Sequence, residues 1–245
     1  MTPRNKEFEG RHVVVTGATG ALGGAVVTRL VEGGATCHLP ARSPKAAERF
    51  ADRSSGHVQL RSGIDLTDER SVVGFYEQLP GLWASIHCAG GFAMAPIVGT
   101  SLEDFSRMWA MNVTSAFLCS REATRVFRAG RSSGNENAPG GRIVNVAARA
   151  ALEPRTGAGM TSYTATKAAV TGMTLALAEE LADEDILVNA VAPSIIDTPA
   201  NRSAMPQADF SKWPTVDEVA ETIVFLASPS NRVTRGGVVP VYGKS

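Results

Sequence analysis

An apolar strand, His12-Val13-Val14-Val15-Thr16, runs without a break into Gly17-Ala18-Thr19-Gly20-Ala21-Leu22-Gly23-Gly24. Apolar residues at Ala25, Val26, Leu30 and Val31 then recur at helical spacing. Strand, glycine-rich turn and helix in direct succession are the context in which such glycines bind phosphate. The missing side chains let the backbone approach a pyrophosphate, and the helix start offers N–H groups and the positive end of a dipole. The turn therefore predicts dinucleotide binding.

The alternation continues to the end of the chain. Short apolar runs at 35–40, 58–60, 82–87, 143–146, 186–191 and 237–241 read as strands. Helical patterns lie between them, from Thr67-Asp68 through Leu79, from Leu102, from Ser162, and over 216–228. At 245 residues this is one α/β domain with no internal repeat or linker. Lys plus Arg and Asp plus Glu both number 24, so no charge footprint points to nucleic acid or an anionic membrane. No apolar run nears the ~20 residues that span a bilayer, and the polar residues 1–9 are unlike a signal peptide. Cys37, Cys88 and Cys119 fit no zinc or redox spacing, and the four histidines are scattered. The expectation is a cytoplasmic protein with reduced thiols and no metal.

Four places carry candidate chemistry. Tyr163 and Lys167 sit four apart on one helix face, with β-carbons roughly 5–6 Å apart. Such a pair is often only a solvated face, but a nearby ammonium lowers a tyrosine pKa and readies it for proton transfer. Strand 35–40 ends at Ala41-Arg42, with Lys45 behind. An acidic residue there would repel a 2′-phosphate; an arginine can pair with it or simply open a helix on the surface. Asp65, followed by Leu66, could accept from an adenine amino group, or Thr67 and Asp68 could cap the helix. Asn112, among Met108, Val113 and Ala116, is either a satisfied core amide or an anchor for a buried water or backbone near the active centre. Residues 131–140 form a polar loop, and 194–214, with Met205, Phe210 and Trp213, read as a lid.

In order, Thr16-Gly17-x-x-x-Ala21-x-Gly23, Asp65, Ala89-Gly90, Asn112, Tyr163-x-x-x-Lys167 and Pro193 to Thr198 resemble the short-chain dehydrogenase/reductase family along nearly the whole chain. The resemblance implies a Rossmann-type, doubly wound parallel sheet flanked by helices. It implies a nicotinamide cofactor on Gly17, Thr19, Gly20, Ala21, Leu22, Gly23, Asp65, Leu66, Ala89, Gly90, Pro193 and Ile196, with Thr198 on its carboxamide. Tyr163 would be the proton donor, Lys167 would bind the nicotinamide ribose, and Asn112 would anchor a relay water. Arg42 favours NADP(H) over NAD(H). Family members are commonly homodimers or homotetramers, with the Tyr-bearing helix at an interface.

One departure stands out. Where the family carries a catalytic serine after its fifth strand, this chain has Ala148. A lost hydrogen-bond donor of that kind typically costs ~10²–10³ in rate, unless Thr156, Thr161 or Ser162 replaces it. The dihydropteridine reductase subgroup is similar in this gap, and its lid resembles residues 197–213, although Ala41-Arg42 lacks that subgroup's acidic residue. The sequence is read as a reductase of a small carbonyl, quinonoid or pteridine-like acceptor. The alternatives are a 3-oxoacyl or carbonyl reductase with a substitute hydroxyl, and a catalytically idle dinucleotide sensor.

Overall fold

Strands whose residues are apolar in unbroken runs are buried on both faces, which demands helices above and below a parallel sheet. The computed structural model describes residues 6–43, 56–132 and 140–245. Lys45 and most of the polar 131–140 loop lie outside the described residues. Among the described residues, seven parallel strands form one sheet: β1 His12–Thr16, β2 Thr36–Ala41, β3 Val58–Ser62, β4 Ala84–His87, β5 Arg142–Val146, β6 Leu187–Pro193 and β7 Val238–Val241. Their order is β3-β2-β1-β4-β5-β6-β7. The central β1 and β6 are buried almost throughout. The edge strands β3 and β7 are only partly buried, and β7 tolerates Pro240 because an edge can spare a donor.

The helices are α1 Ala21–Glu32, α2 Glu69–Tyr76, α3 Leu102–Trp109, α4 Ser115–Ser132, α5 Arg149–Leu152, α6 Thr161–Glu180, α7 Pro199–Ala204 and α8 Val216–Ala227. Val26, Val27 and Leu30 of α1 pack with Val219, Ile223 and Leu226 of α8 against one core. Phe75 and Tyr76 of α2, Leu118 and Phe127 of α4, and Ala178 of α6 form the other, with Val14, Ile143 and Val188 from the sheet. The doubly wound sheet expected from the sequence is therefore present.

Several element boundaries differ from those expected. The strand expected at 82–87 begins at Ala84, and Trp83 just before it donates its indole N–H to the Ala227 carbonyl at 2.8 Å. The helix expected from Leu102 is not continuous. It passes through a π-turn, Ala110–Thr114, before α4, an arrangement frequent at functional sites. No helix of the described residues is long and apolar enough to cross a membrane.

Candidate active site

The winding reverses between β1 and β4: β2 and β3 extend the sheet to one side, β5 to β7 to the other. Neighbouring loops leave the strand ends in opposite directions there, and the crevice lies above the C-terminal ends. The β1–α1 turn enters it. Gly17 has φ +66°, and a β-carbon on it would stand 2.6 Å from the Ala89 nitrogen. A β-carbon on Gly23 would collide with the Gly17 carbonyl oxygen. Both glycines are thus imposed by close approach, and the turn is clamped to the β4 exit, where the Ala89 N–H donates to Thr16 Oγ1 at 3.1 Å. Helix α1 starts at Gly20, whose missing side chain offers no cap, and its first turn holds no acidic residue. The N–H groups of Ala21, Leu22 and Gly23 have no carbonyl one helical turn back. A diphosphate fits this cradle.

At the end of β2, Ala41 is buried and Arg42 is 73% exposed, its Nη2 3.7 Å from Asp65 Oδ1. The capping alternative is present at Asp68. Asp68 caps α2 by accepting from the Ser71 N–H, while Asp65 accepts from the Thr67 N–H at 2.9 Å and hydroxyl at 2.8 Å. The Thr67 amide and hydroxyl, with Arg42 beyond, hold the Asp65 carboxyl below its ordinary range. Leu66 packs its side chain against the second core.

Across the crevice, Asn112 lies buried in the π-turn. Its Oδ1 accepts from the Gly91 N–H at 2.8 Å, and its Nδ2 faces the Gly91 carbonyl, Met108 Sδ and Thr166 Oγ1 at 3.0–3.1 Å. The amide is buried and satisfied, and it holds the Gly91 backbone at both its N–H and its carbonyl. Gly90 has no room for a β-carbon, which would stand 2.6 Å from Asn112 Oδ1. Thr166 in turn donates to the Tyr163 carbonyl at 2.8 Å, so the amide ties the β4 exit to the first turns of α6.

Lys167 is buried, and its Nζ donates to the Val146 carbonyl at 2.7 Å while lying 5.8 Å from the Tyr163 ring centroid. Burial lowers the ammonium to about 8. The expectation that Lys167 lowers the Tyr163 pKa needs correction: burial pushes the phenol up to about 12. Desolvation of the phenol sets this direction. Phe92 stands edge-on to the Tyr163 ring, centroids 5.0 Å apart.

Ala148 is buried at the start of α5 in extended conformation, with no side-chain cap. Of the possible substitute hydroxyls, Thr156 is exposed and donates to the Glu153 carbonyl at 2.8 Å, so it is already engaged. Beyond β6, which ends at Pro193, Thr198 Oγ1 accepts from the Asn201 N–H at 3.2 Å and caps α7. The 194–214 segment is ordered by local pairs: Asn201 Nδ2 donates to the Ile196 carbonyl, Arg202 forks onto Asp197, and Phe210 meets Trp213. Among the described residues, no group of three or more His, Cys, Asp or Glu side chains could hold a metal ion. A surface cavity of about 390 Å³ beside Phe8, Arg29 and Phe225 sits by the C-terminal end of α1.

A family model of short chain dehydrogenases matches residues 11–209. The chain belongs to the short chain dehydrogenase family. It is 31% identical to the (2S)-[(R)-hydroxy(phenyl)methyl]succinyl-CoA dehydrogenase subunit BbsD of Thauera aromatica, over 96% of each chain. It is 33% identical to galactitol 2-dehydrogenase of Rhizobium johnstonii, over 96% of this chain and 94% of the relative. Among solved structures, a short chain dehydrogenase/reductase family protein superposes with a TM-score of 0.86 at 25% identity, covering 97% of each. ElxO with NADP bound superposes at 0.82 and 25% identity, covering 95% and 97%. The chain is therefore an oxidoreductase of a family that uses nicotinamide cofactors.

As a short chain dehydrogenase it brings Gly17 to Gly23, Ala89, Gly90, Asn112, Tyr163 and Lys167 to one crevice, as the sequence led us to expect. Three contributors escaped the sequence. The Val146 carbonyl carries no residue-type signature, and Thr166 hides inside Tyr163-Thr164-Ala165-Thr166-Lys167. Phe92 gave one faint signal, a large apolar residue directly after Gly90-Gly91.

Proposed function

We propose that the chain is an NADP(H)-dependent reductase of a small carbonyl, quinonoid or pteridine-like acceptor, with Tyr163 as proton donor. The observation that carries this reading is Lys167, buried 5.8 Å from the Tyr163 ring and anchored on Val146, beside the Ala89-Gly90 exit of β4. The cofactor, when bound, supplies the hydride. Gly17, Thr19, Gly20, Ala21, Leu22 and Gly23 would hold its diphosphate, and Asp65 and Leu66 its adenine. Ala89, Gly90 and Lys167 would hold the nicotinamide ribose, and Pro193, Ile196 and Thr198 the carboxamide. Thr198 accepts from Asn201 but keeps its hydroxyl hydrogen for a ligand oxygen. Arg42, mostly in solvent, offers a guanidinium to a 2′-phosphate.

A phenol raised to about 12 remains protonated at neutral pH, which suits a donor in the reductive direction. As charge develops on the acceptor, Tyr163 releases its proton, and the Lys167 ammonium steadies the phenolate. Asn112 acts as a positioning residue, through Gly91 and Thr166. With Ala148 in place of a donor, acceptors that are already electrophilic fit best. Relatives named for a hydroxy(phenyl)methylsuccinyl-CoA and for galactitol support a carbonyl as one of them. Exposed Leu102, Phe105, Trp109 and Phe117 on α3 and α4 support self-association as a homodimer or homotetramer, which light scattering would read directly.

The test is a panel of quinones, aryl ketones and quinonoid dihydropterin with NADPH and NADH. Turnover of at least one acceptor, lost in Tyr163→Phe, is the expected result. Tight cofactor binding without any turnover would instead make the chain a sensor.

A further inference from the structure

The segment that leaves β4 is chemically unusual. From Cys88 to Leu102 no side chain carries a charge, and Phe92, Met94, Ile97, Val98 and Leu102 are 61%, 66%, 66%, 95% and 80% exposed. So much apolar surface in one short stretch calls for an occupant. The first part of it is rigidly held. Gly91 is clamped by the Asn112 amide, and the Ala95 N–H donates to the Gly159 carbonyl at 2.9 Å. Phe92 and Met94 lie between these two anchors. Met94 Cε reaches within 3.3 Å of where a β-carbon on Gly159 would stand, and the Phe92 ring meets the Tyr163 ring at 79°. Phe92 thus touches the proposed proton donor and keeps most of its surface open. Ala148, in the serine position, offers only a methyl group.

We propose, resting on the reductase reading above, that Phe92 is a specificity-determining residue. It selects acceptors carrying an aryl group beside the reducible centre, with Met94 extending the same wall. A flat ring packed on Phe92 leaves the reducible atom facing the Tyr163 hydroxyl. Pairing of aromatic rings adds to the gain from buried area. A polar bicyclic ring would find no charged partner along this wall. Among the acceptor classes above, the choice therefore moves to aryl ketones and aromatic quinones.

The experiment compares acetophenone, cyclohexyl methyl ketone and 2-butanone as probes, with NADPH, in wild type, Phe92→Ala and Phe92→Leu. Wild type should prefer acetophenone. Phe92→Ala should lower kcat/KM for acetophenone about tenfold, mostly through KM, and leave 2-butanone within about twofold. Phe92→Leu should restore the cyclohexyl ketone but not acetophenone. Equal losses on all three ketones, or none, would overturn the inference while leaving the reductase reading intact. A changed oligomeric state in Phe92→Ala with unchanged ketone preference would also overturn it, making the segment a contact between copies. No turnover of any acceptor by wild type would remove the reductase reading, and this inference with it.

Discussion

Replacing Ala148 by serine tests the reading of this site most sharply. Ala148 is 6% exposed and starts α5 in an extended conformation, φ −161° and ψ 162°. A serine there introduces one enclosed hydroxyl. Left unpaired, such a group costs about 1–3 kcal/mol. It sits at an N-cap, however, where accepting from the first turn of α5 returns about 1 kcal/mol. The net change in stability should stay within about 2 kcal/mol, so the variant folds. A fully preorganised donor to a developing oxyanion is worth about 10²–10³ in rate. A serine not shaped for the task should deliver part of this, about 10–100-fold in kcat/KM for a ketone. A quinone needs no such donor and should gain less than about threefold. The assay follows cofactor absorbance for both acceptors, with thermal unfolding as control. No gain on the ketone in a folded variant, or the same gain on both acceptors, would refute the reasoning.

Tyr163→Phe should lower turnover by about 10²–10⁴ while leaving cofactor affinity within a few-fold, measured by cofactor fluorescence; retained turnover means another donor. Arg42→Ala should weaken NADPH about tenfold and NADH little, and equal effects would remove the cofactor preference. Lys167 is lowered from 10.5 to about 8, so the unfolded chain binds the extra proton between those values and Lys167 contributes a rise in stability of about 3 kcal/mol from pH 8 to 10.5. Urea midpoints of Lys167→Met should lack that rise; parallel curves for variant and wild type would contradict the burial argument. Cys37, Cys88 and Cys119, raised from 9.0 to about 12, and Tyr163, raised from 10.0 to about 12, act in the opposite sense above pH 9 in both proteins, so the Lys167 contribution is read as the difference between the two curves.

The elements that the sequence made legible are those that periodicity dictates. Val13 to Val15 and the apolar run of β6 could only be doubly covered strands, and Gly17 and Gly23 announced a backbone contact that the coordinates contain. What stayed hidden depends on neighbours distant in the chain. The Tyr163 pKa was argued from Lys167 alone, but its direction is set by desolvation, which no spacing rule reports. The partners of Asn112, Gly91 and Thr166, lie 21 and 54 residues away and no local pattern names them. The break in the helix at Ala110–Thr114 has no glycine or proline to announce it.

The acceptor that holds Lys167 belongs to a peptide bond and not to a side chain. No codon change at Val146 can delete that oxygen; it can only alter what hangs from the adjacent α-carbon. The lysine's tether is therefore sheltered from drift, whereas the whole Phe92 ring is open to substitution. A scaffold arranged in this way can change what it accepts, one mutation at a time, without resetting how its proton is held.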